Sequence, residues 1–228
     1  NGLLIHFDIY KDNKVDHYKG LIQIAHGMVE HKGNYSYIAN RLSKVGYIVA
    51  INDHRGHGDS IGGDIFLGEK GENGFELAMQ DMYNLTLHLK NTYKPEKFIL
   101  IGHSMGSLLS RRYLQEYEKE IDMLILCGSP SPYFGVSFGI LFLKICKTFG
   151  FNKIGEYLGH RFSFLTFNAK YKHIDNLNDG LPSGRLWTNR DNNEVIKHIK
   201  DDKQNFTFTT NSFIHLLCGI KKVFSKYE

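Results

Sequence analysis

Apolar residues in the first half of this chain fall into short unbroken runs, separated by stretches in which they recur at helical spacing. The runs are LLIHFDIY (Leu3 to Tyr10), LIQIAHG (Leu21 to Gly27), YIVAIND (Tyr47 to Asp53), KFILIGH (Lys97 to His103) and IDMLILCGS (Ile121 to Ser129). Each has strand length and ends in turn residues, and the continuous ones suit strands buried on both faces. Between them, NYSYIANRLSKVG (Asn34 to Gly46) predicts a helix with Tyr37, Ile38, Leu42 and Val45 on its core face and Gly46 as its stop. Phe75 to Tyr93 and Met105 to Glu118 predict two further helices. This alternation implies mostly parallel strands, right-handed crossovers and helices on both faces of one sheet.

After Ser129 the rhythm changes. Residues 130–210 hold apolar helical stretches but no buried strand, the pattern of an inserted helical lid. The expected organisation is therefore a core over 1–129, a lid over 130–210 and the start of a return to the core over 211–228. The chain opens on Asn1 and shows no leader, so its targeting is not legible. Its most apolar segment, Tyr133 to Cys146, is shorter than the about 20 residues a bilayer span needs. Phe134, Phe138, Leu141, Phe142 and Ile145 recur there at helical spacing, as a helix packed on its neighbour would have them. In a lid the same stripe could line an acyl pocket or touch a membrane surface.

Composition narrows the class only a little. A net charge of +4 spread along 228 residues gives no basic, aromatic-interleaved patch, so nucleic acid is not indicated. Cys127, Cys146 and Cys218 sit in apolar surroundings and are expected to be small buried hydrophobes, which favours a reducing, cytoplasmic setting, with contact at a membrane periphery left to the lid. Twelve histidines invite a metal, but His26, Glu30, His31, His54 and His57 lie on glycine-broken loops, not on one helix face, so no metal is expected. His54, Arg55 and His57 are expected to pin loops instead.

The candidate chemistry sits where the fourth run meets the helix that follows, at GHSMG. Gly102 and Gly106 flank Ser104 at two residues on either side, where side chains would collide in a tight strand-to-helix turn. The helix from Met105 aims free amides and its positive end at the same point, so the Met105 N–H can support an oxyanion. A second donor is expected from AHGMVEH, where Gly27 lets the Met28 N–H face the crevice. His103 is expected to support the site without being its base, with Glu30 either orienting that support through an ion pair or standing as a solvated loop charge.

Three motifs in this order, HGMVEH, DHRGHGDS (Asp53 to Ser60) and GHSMG, resemble the monoacylglycerol lipase and lysophospholipase branch of the α/β-hydrolase superfamily, over about Asn1 to Pro130. TNRDNNEVI and FTFTTNSF further resemble lid segments of bacterial lysophospholipase-like members. The resemblance implies an α/β-hydrolase core with a helical lid, Ser104 as nucleophile, Met28 and Met105 as oxyanion amides, no cofactor, and a lipid ester as substrate. Other acyl transfers, by a thioesterase or a peptidase, fit the same residues. Epoxide or halide cleavage does not, since it needs a carboxylate where Ser104 stands.

A serine nucleophile needs a base, and the superfamily order is Ser, then Asp or Glu, then His. Asp175, Asp179, Asp191, Asp201 and Asp202, with His160, His173, His198 and His215, all fall on lid-like or pre-strand segments. The acid and base are accordingly expected after Glu228, together with the last core strands. The alternatives are an unusual base such as His215, or a protein that keeps the fold and binds without catalysis.

Overall fold

The computed structural model describes residues 2–131, 135–171 and 188–225. Its sheet contains five strands: β1 (Phe7–Tyr10), β2 (Gly20–Ala25), β3 (Tyr47–Asn52), β4 (Phe98–His103) and β5 (Met123–Cys127), in the order β1-β3-β2-β4-β5. β1 runs antiparallel to β3 and the other pairs are parallel. The helices are α1 (Ser36–Lys44), α2 (Gly74–Tyr93), α3 (Met105–Tyr117), α4 (Val136–Thr148), α5 (Asn152–Tyr171), α6 (Asn192–Lys200) and α7 (Thr210–Val223).

The continuous runs become the central strands, because only there are both faces covered. Every residue of β2 is buried, as is every residue of β3 after Tyr47. One sheet face packs Leu21, Ala50, Phe98 and Leu100 against α2, α3 and α7. The other packs Ile22, Ile24, Val49 and Ile51 against α1. Gln23 is the one polar side chain inside β2. Its amide group donates to the Met82 carbonyl at 3.1 Å and accepts from Thr86 Oγ1 at 2.7 Å, so its burial leaves no orphaned group.

Four expectations need correction. The first run is strand only over Phe7–Tyr10. α1 packs through Ala39 and Ser43, whereas Tyr37, Ile38 and Val45 are exposed, because two small residues let the helix lie close on β3. In α4 the buried residues are Val136, Leu143 and Cys146. Phe138, Leu141 and Ile145 face outward and Phe142 is half-buried; Phe134 lies outside the described residues. Of the cysteines only Cys146 is buried; Cys127 on outer strand β5 and Cys218 on α7 are exposed.

α7 closes the structure over the core, packing on α2 and α3 and also on α4 and α5. Its fit depends on Gly219, where an added Cβ would stand 2.3 Å from the Phe75 ring. That ring is 2% exposed and has nowhere to go. Gly219→Ala is therefore expected to lower stability by about 1–3 kcal/mol despite alanine's better helix propensity, as a urea unfolding curve would report.

Candidate active site

Ser104 joins β4 to α3 with φ 50° and ψ −116°, a left-handed conformation that costs a non-glycine residue about 1–3 kcal/mol. Surrounding bonds hold it there. Its N–H donates to the Cys127 carbonyl at 2.9 Å, and its carbonyl accepts from the Ser107 N–H at 2.9 Å and from Ser107 Oγ at 2.5 Å. The side chain is half-exposed, and among the described residues no hydrogen bond engages its hydroxyl.

The flanking glycines explain how the turn closes. A Cβ on Gly102 would lie 2.5 Å from Ser110 Oγ and 2.6 Å from the Gly106 carbonyl oxygen. A Cβ on Gly106 would lie 2.1 Å from the Ala25 carbonyl oxygen and 2.6 Å from that of His26. The first turn of α3 is thus in backbone contact with the end of β2, and so Ser104 and Met105 stand beside the loop that carries Gly27 and Met28. As the first residue of α3, Met105 has an N–H with no partner inside the helix, and none of the described hydrogen bonds uses the Met28 N–H.

Behind Gly27 lies a compact polar network. Glu30 Oε2 accepts from the Gly27 N–H at 2.8 Å and from the Tyr35 hydroxyl at 2.7 Å. The same hydroxyl is 2.9 Å from His103 Nδ1, and that nitrogen is 3.5 Å from Glu30 Oε2. Burial alone would raise the Glu30 pKa. The bonds from His103, Tyr35 and Gly27 outweigh it and bring the carboxyl down to about 2. The hydrogen bond and charge of Glu30 in turn raise His103, against its partial burial. His103 Nδ1 therefore faces Glu30 and Tyr35. Gly27 belongs to the same set, since a Cβ there would sit 3.0 Å from Glu30 Oε2.

Beneath this loop three buried imidazoles pack against one another, tilted or edge-on. The His26 and His54 ring centres are 4.2 Å apart, and those of His26 and His57 are 5.1 Å apart. His26 Nδ1 donates to the Gly27 carbonyl at 2.8 Å while Nε2 accepts from the His54 N–H at 3.0 Å, which fixes one neutral tautomer. Burial brings His26 down to about 4 and lowers His54 and His57 as well, with neighbouring positive charge adding to the effect on those two. Arg55 makes two bonds to Asp81, at 2.7 and 2.9 Å. These residues hold loops together, and no cluster fit to bind a metal occurs among the described residues.

A cavity of about 860 Å³ opens over Met28 and His103, between the loop at Glu30 and His160, Phe164 and His198 on α5 and α6. Polar contacts hold the segment after α6 to its rim: His31 Nε2 to Asp201 Oδ2 at 2.7 Å, Asn34 Nδ2 to Gln204 Oε1 at 2.9 Å, and Lys203 Nζ to Asp59 Oδ1 at 2.5 Å. His215 is on α7, with Nε2 facing the Asn73 N–H and Glu72, and it takes no part in this cavity. His173, Asp175 and Asp179 lie outside the described residues.

Sequence reasoning missed Tyr35 and Lys70. Tyr35 stands just before α1 and carries no local signal; only folding sets its hydroxyl between Glu30 and His103. Lys70, in a Gly- and Glu-rich loop, has the pattern of a solvated charge but is 1% exposed.

A family model described as serine aminopeptidase, S33 matches residues 16–223. A monoacylglycerol lipase of Mycolicibacterium smegmatis is 31% identical over 127 residues, 56% of this chain and 43% of the relative. A monoglyceride lipase homolog of Monkeypox virus is 35% identical over 92 residues, 40% of this chain and 32% of its own. The chain thus spans less than half the length of these curated relatives. A thermostable carboxyl esterase from Bacillus coagulans superposes with a TM-score of 0.77 at 23% identity, covering 96% of this chain and 69% of that one. The fold is that of an α/β-hydrolase, and the resemblance carried by the three motifs holds.

Glu30→Gln is expected to bring the His103 pKa back down towards the usual imidazole value, because it removes the carboxylate that favours the charged ring. Imidazole NMR titration would read the shift, and an unchanged value would exclude the pairing. The stability His103 gains from this pairing is fully present below its ordinary value of about 6.5 and is lost as pH rises through its higher folded value.

Proposed function

The chain belongs to the serine aminopeptidase S33 family, and from that membership and the elbow geometry we propose that it is the acyl-transfer part of a serine ester hydrolase acting on lipid esters, monoacylglycerol or lysophospholipid. Ser104 Oγ attacks the ester carbonyl. Negative charge gathers on the carbonyl oxygen and is met by the Met28 and Met105 N–H groups. The carbon–oxygen bond to the alcohol then breaks, the alcohol leaves protonated, and water hydrolyses the acyl-enzyme. Gly27, Gly102 and Gly106 allow the close approaches, and His103 holds the loop through Glu30 and Tyr35. No step calls for a metal or cofactor.

The chief support is the strained Ser104 backbone, set beside the Met28 and Met105 N–H groups, which none of the described hydrogen bonds engages. Supporters of activity and of its absence part at one point: no described hydrogen bond joins the serine hydroxyl to a base. We therefore propose that the acid–base pair is not supplied by the described residues, and that these 228 residues alone turn over substrate poorly. Normal esterase turnover by this chain would contradict that. A fluorophosphonate probe on the protein together with its acid–base pair is expected to label Ser104, and Ser104→Ala to abolish labelling. An inert wild type under the same conditions would favour a binding protein that keeps the fold.

The lid is proposed to touch membrane surfaces transiently to collect substrate. Phe138, Leu141, Ile145, Phe149, Phe151 and Ile154 are all exposed on α4, on α5 and in the turn between them, among Lys144, Lys147 and Lys153. No described helix is long and apolar enough to cross a membrane. Co-sedimentation with phosphatidylglycerol vesicles should fall severalfold in Phe138→Ser/Phe149→Ser. Equal retention of the double variant would remove the lid from this role.

A further inference from the structure

Lys70 lies in the loop between β3 and α2, with its amine directed into the core beneath the elbow. Nζ is 3.0 Å from Met105 Sδ and 4.2 Å from the centre of the Phe208 ring, and the Lys70 N–H donates to Ser212 Oγ at 2.9 Å. One side chain thus touches the residue after Ser104, the strap that leads out of the lid and, through its backbone, α7. None of the described ion pairs includes the amine. The charged and titratable groups around it are Arg55, Glu69 and the rings of His26, His54 and His57.

A buried amine with no described ion-pair partner weakens folding, whether it stays neutral or is charged. Burial, and then the charge of Arg55, bring its pKa down to about 7, against a smaller opposing pull from Glu69. Near neutral pH the site therefore holds a proton only part of the time, and nearby negative charge can tip the balance.

We propose that Lys70 is a positioning residue of the elbow: from behind Met105 its amine places positive charge under the first turn of α3, favouring negative charge at Ser104. The effect adds to the positive end of the helix, in an interior that screens charge poorly. It is reciprocal: a negative charge at Ser104 holds the proton on Lys70 as strongly as Lys70 favours that charge. The proposal rests on Ser104 as the nucleophile beside which the oxyanion forms, but its first test needs no turnover.

Lysine labelled with ¹³C at Cε would be titrated by NMR in the 228-residue chain carrying Ser104→Asn or Ser104→Asp. The fixed carboxylate is expected to raise the Lys70 pKa by about one unit, a tenfold gain in proton affinity. Equal values in two folded variants would overturn the proposal. Lys70→Met supplies the second test: it removes the amine at similar length and is expected to raise Tm. In the protein together with its acid–base pair, phosphonylation of Ser104 should become about tenfold slower below pH 7, the gap closing above about pH 8 as the wild-type amine loses its proton. A uniform slowing at every pH with a lowered Tm would mean packing alone and overturn the proposal, as would labelling equal to wild type. If wild-type Ser104 is never labelled, the hydrolase assignment fails, and the Asn and Asp titrations still decide the role of Lys70.

Discussion

The approach of α3 to the end of β2, with Gly106 against the Ala25 and His26 carbonyls, is the constraint on which the rest of the site depends. No side chain fits at that contact. Because the backbones touch, the loop after β2 and the last residue of β4, His103, line one crevice, although they are far apart in sequence. The same closeness forces the bend between β4 and α3 into a single residue, and Ser104 takes up the strained dihedrals. Bonds from Ser107 and Cys127 hold it, so the strain is borne by the surrounding fold and not relieved locally.

Rigidity beneath this crevice comes from polar groups placed where apolar ones would be cheaper. His26, His54, His57, Arg55 and Lys70 are each at most 1% exposed. Most remain tolerable because they are neutral, packed edge-on against other rings, or paired: His26 bridges the Gly27 carbonyl and the His54 N–H, and Arg55 grips Asp81. His57 is flanked by Phe206 and Phe208, whose ring centres lie 5.4 and 5.3 Å away. The strap out of the lid is therefore packed against the same histidines that shape the Gly27 loop. Lys70, resting on Phe208 and Met105, is a second link from strap to elbow. Through both links the position of the lid segment after α6 and the geometry of the crevice are physically joined.

The upper surface of the crevice is held differently. Asp201, Lys203 and Gln204 reach across to His31, Asp59 and Asn34, and Lys32 ties Asp59 to the buried Asp53. These contacts are partly solvated, so each contributes less than the buried packing below. The outward apolar face of α4 and α5 has no counterpart in the core helices α2 and α3.

The sequence by itself determined the strand and helix order, the sheet class and the elbow, because period and punctuation are local properties. Continuous apolar runs mark β2 and β3, and glycines two residues either side of Ser104 mark a turn that only a close approach requires. Which face of an amphipathic helix is buried was decided by tertiary packing. α1 turned Ala39 and Ser43 inward, because small side chains let it lie on β3, and left Tyr37 and Val45 outside. Cys127 became exposed because its strand is outermost, a property of sheet order that no local pattern carries. The Tyr35 bridge between Glu30 and His103, and Lys70 under Met105, likewise join residues distant in sequence. Their chemistry comes from burial and proximity, and both exist only once the chain has closed on itself.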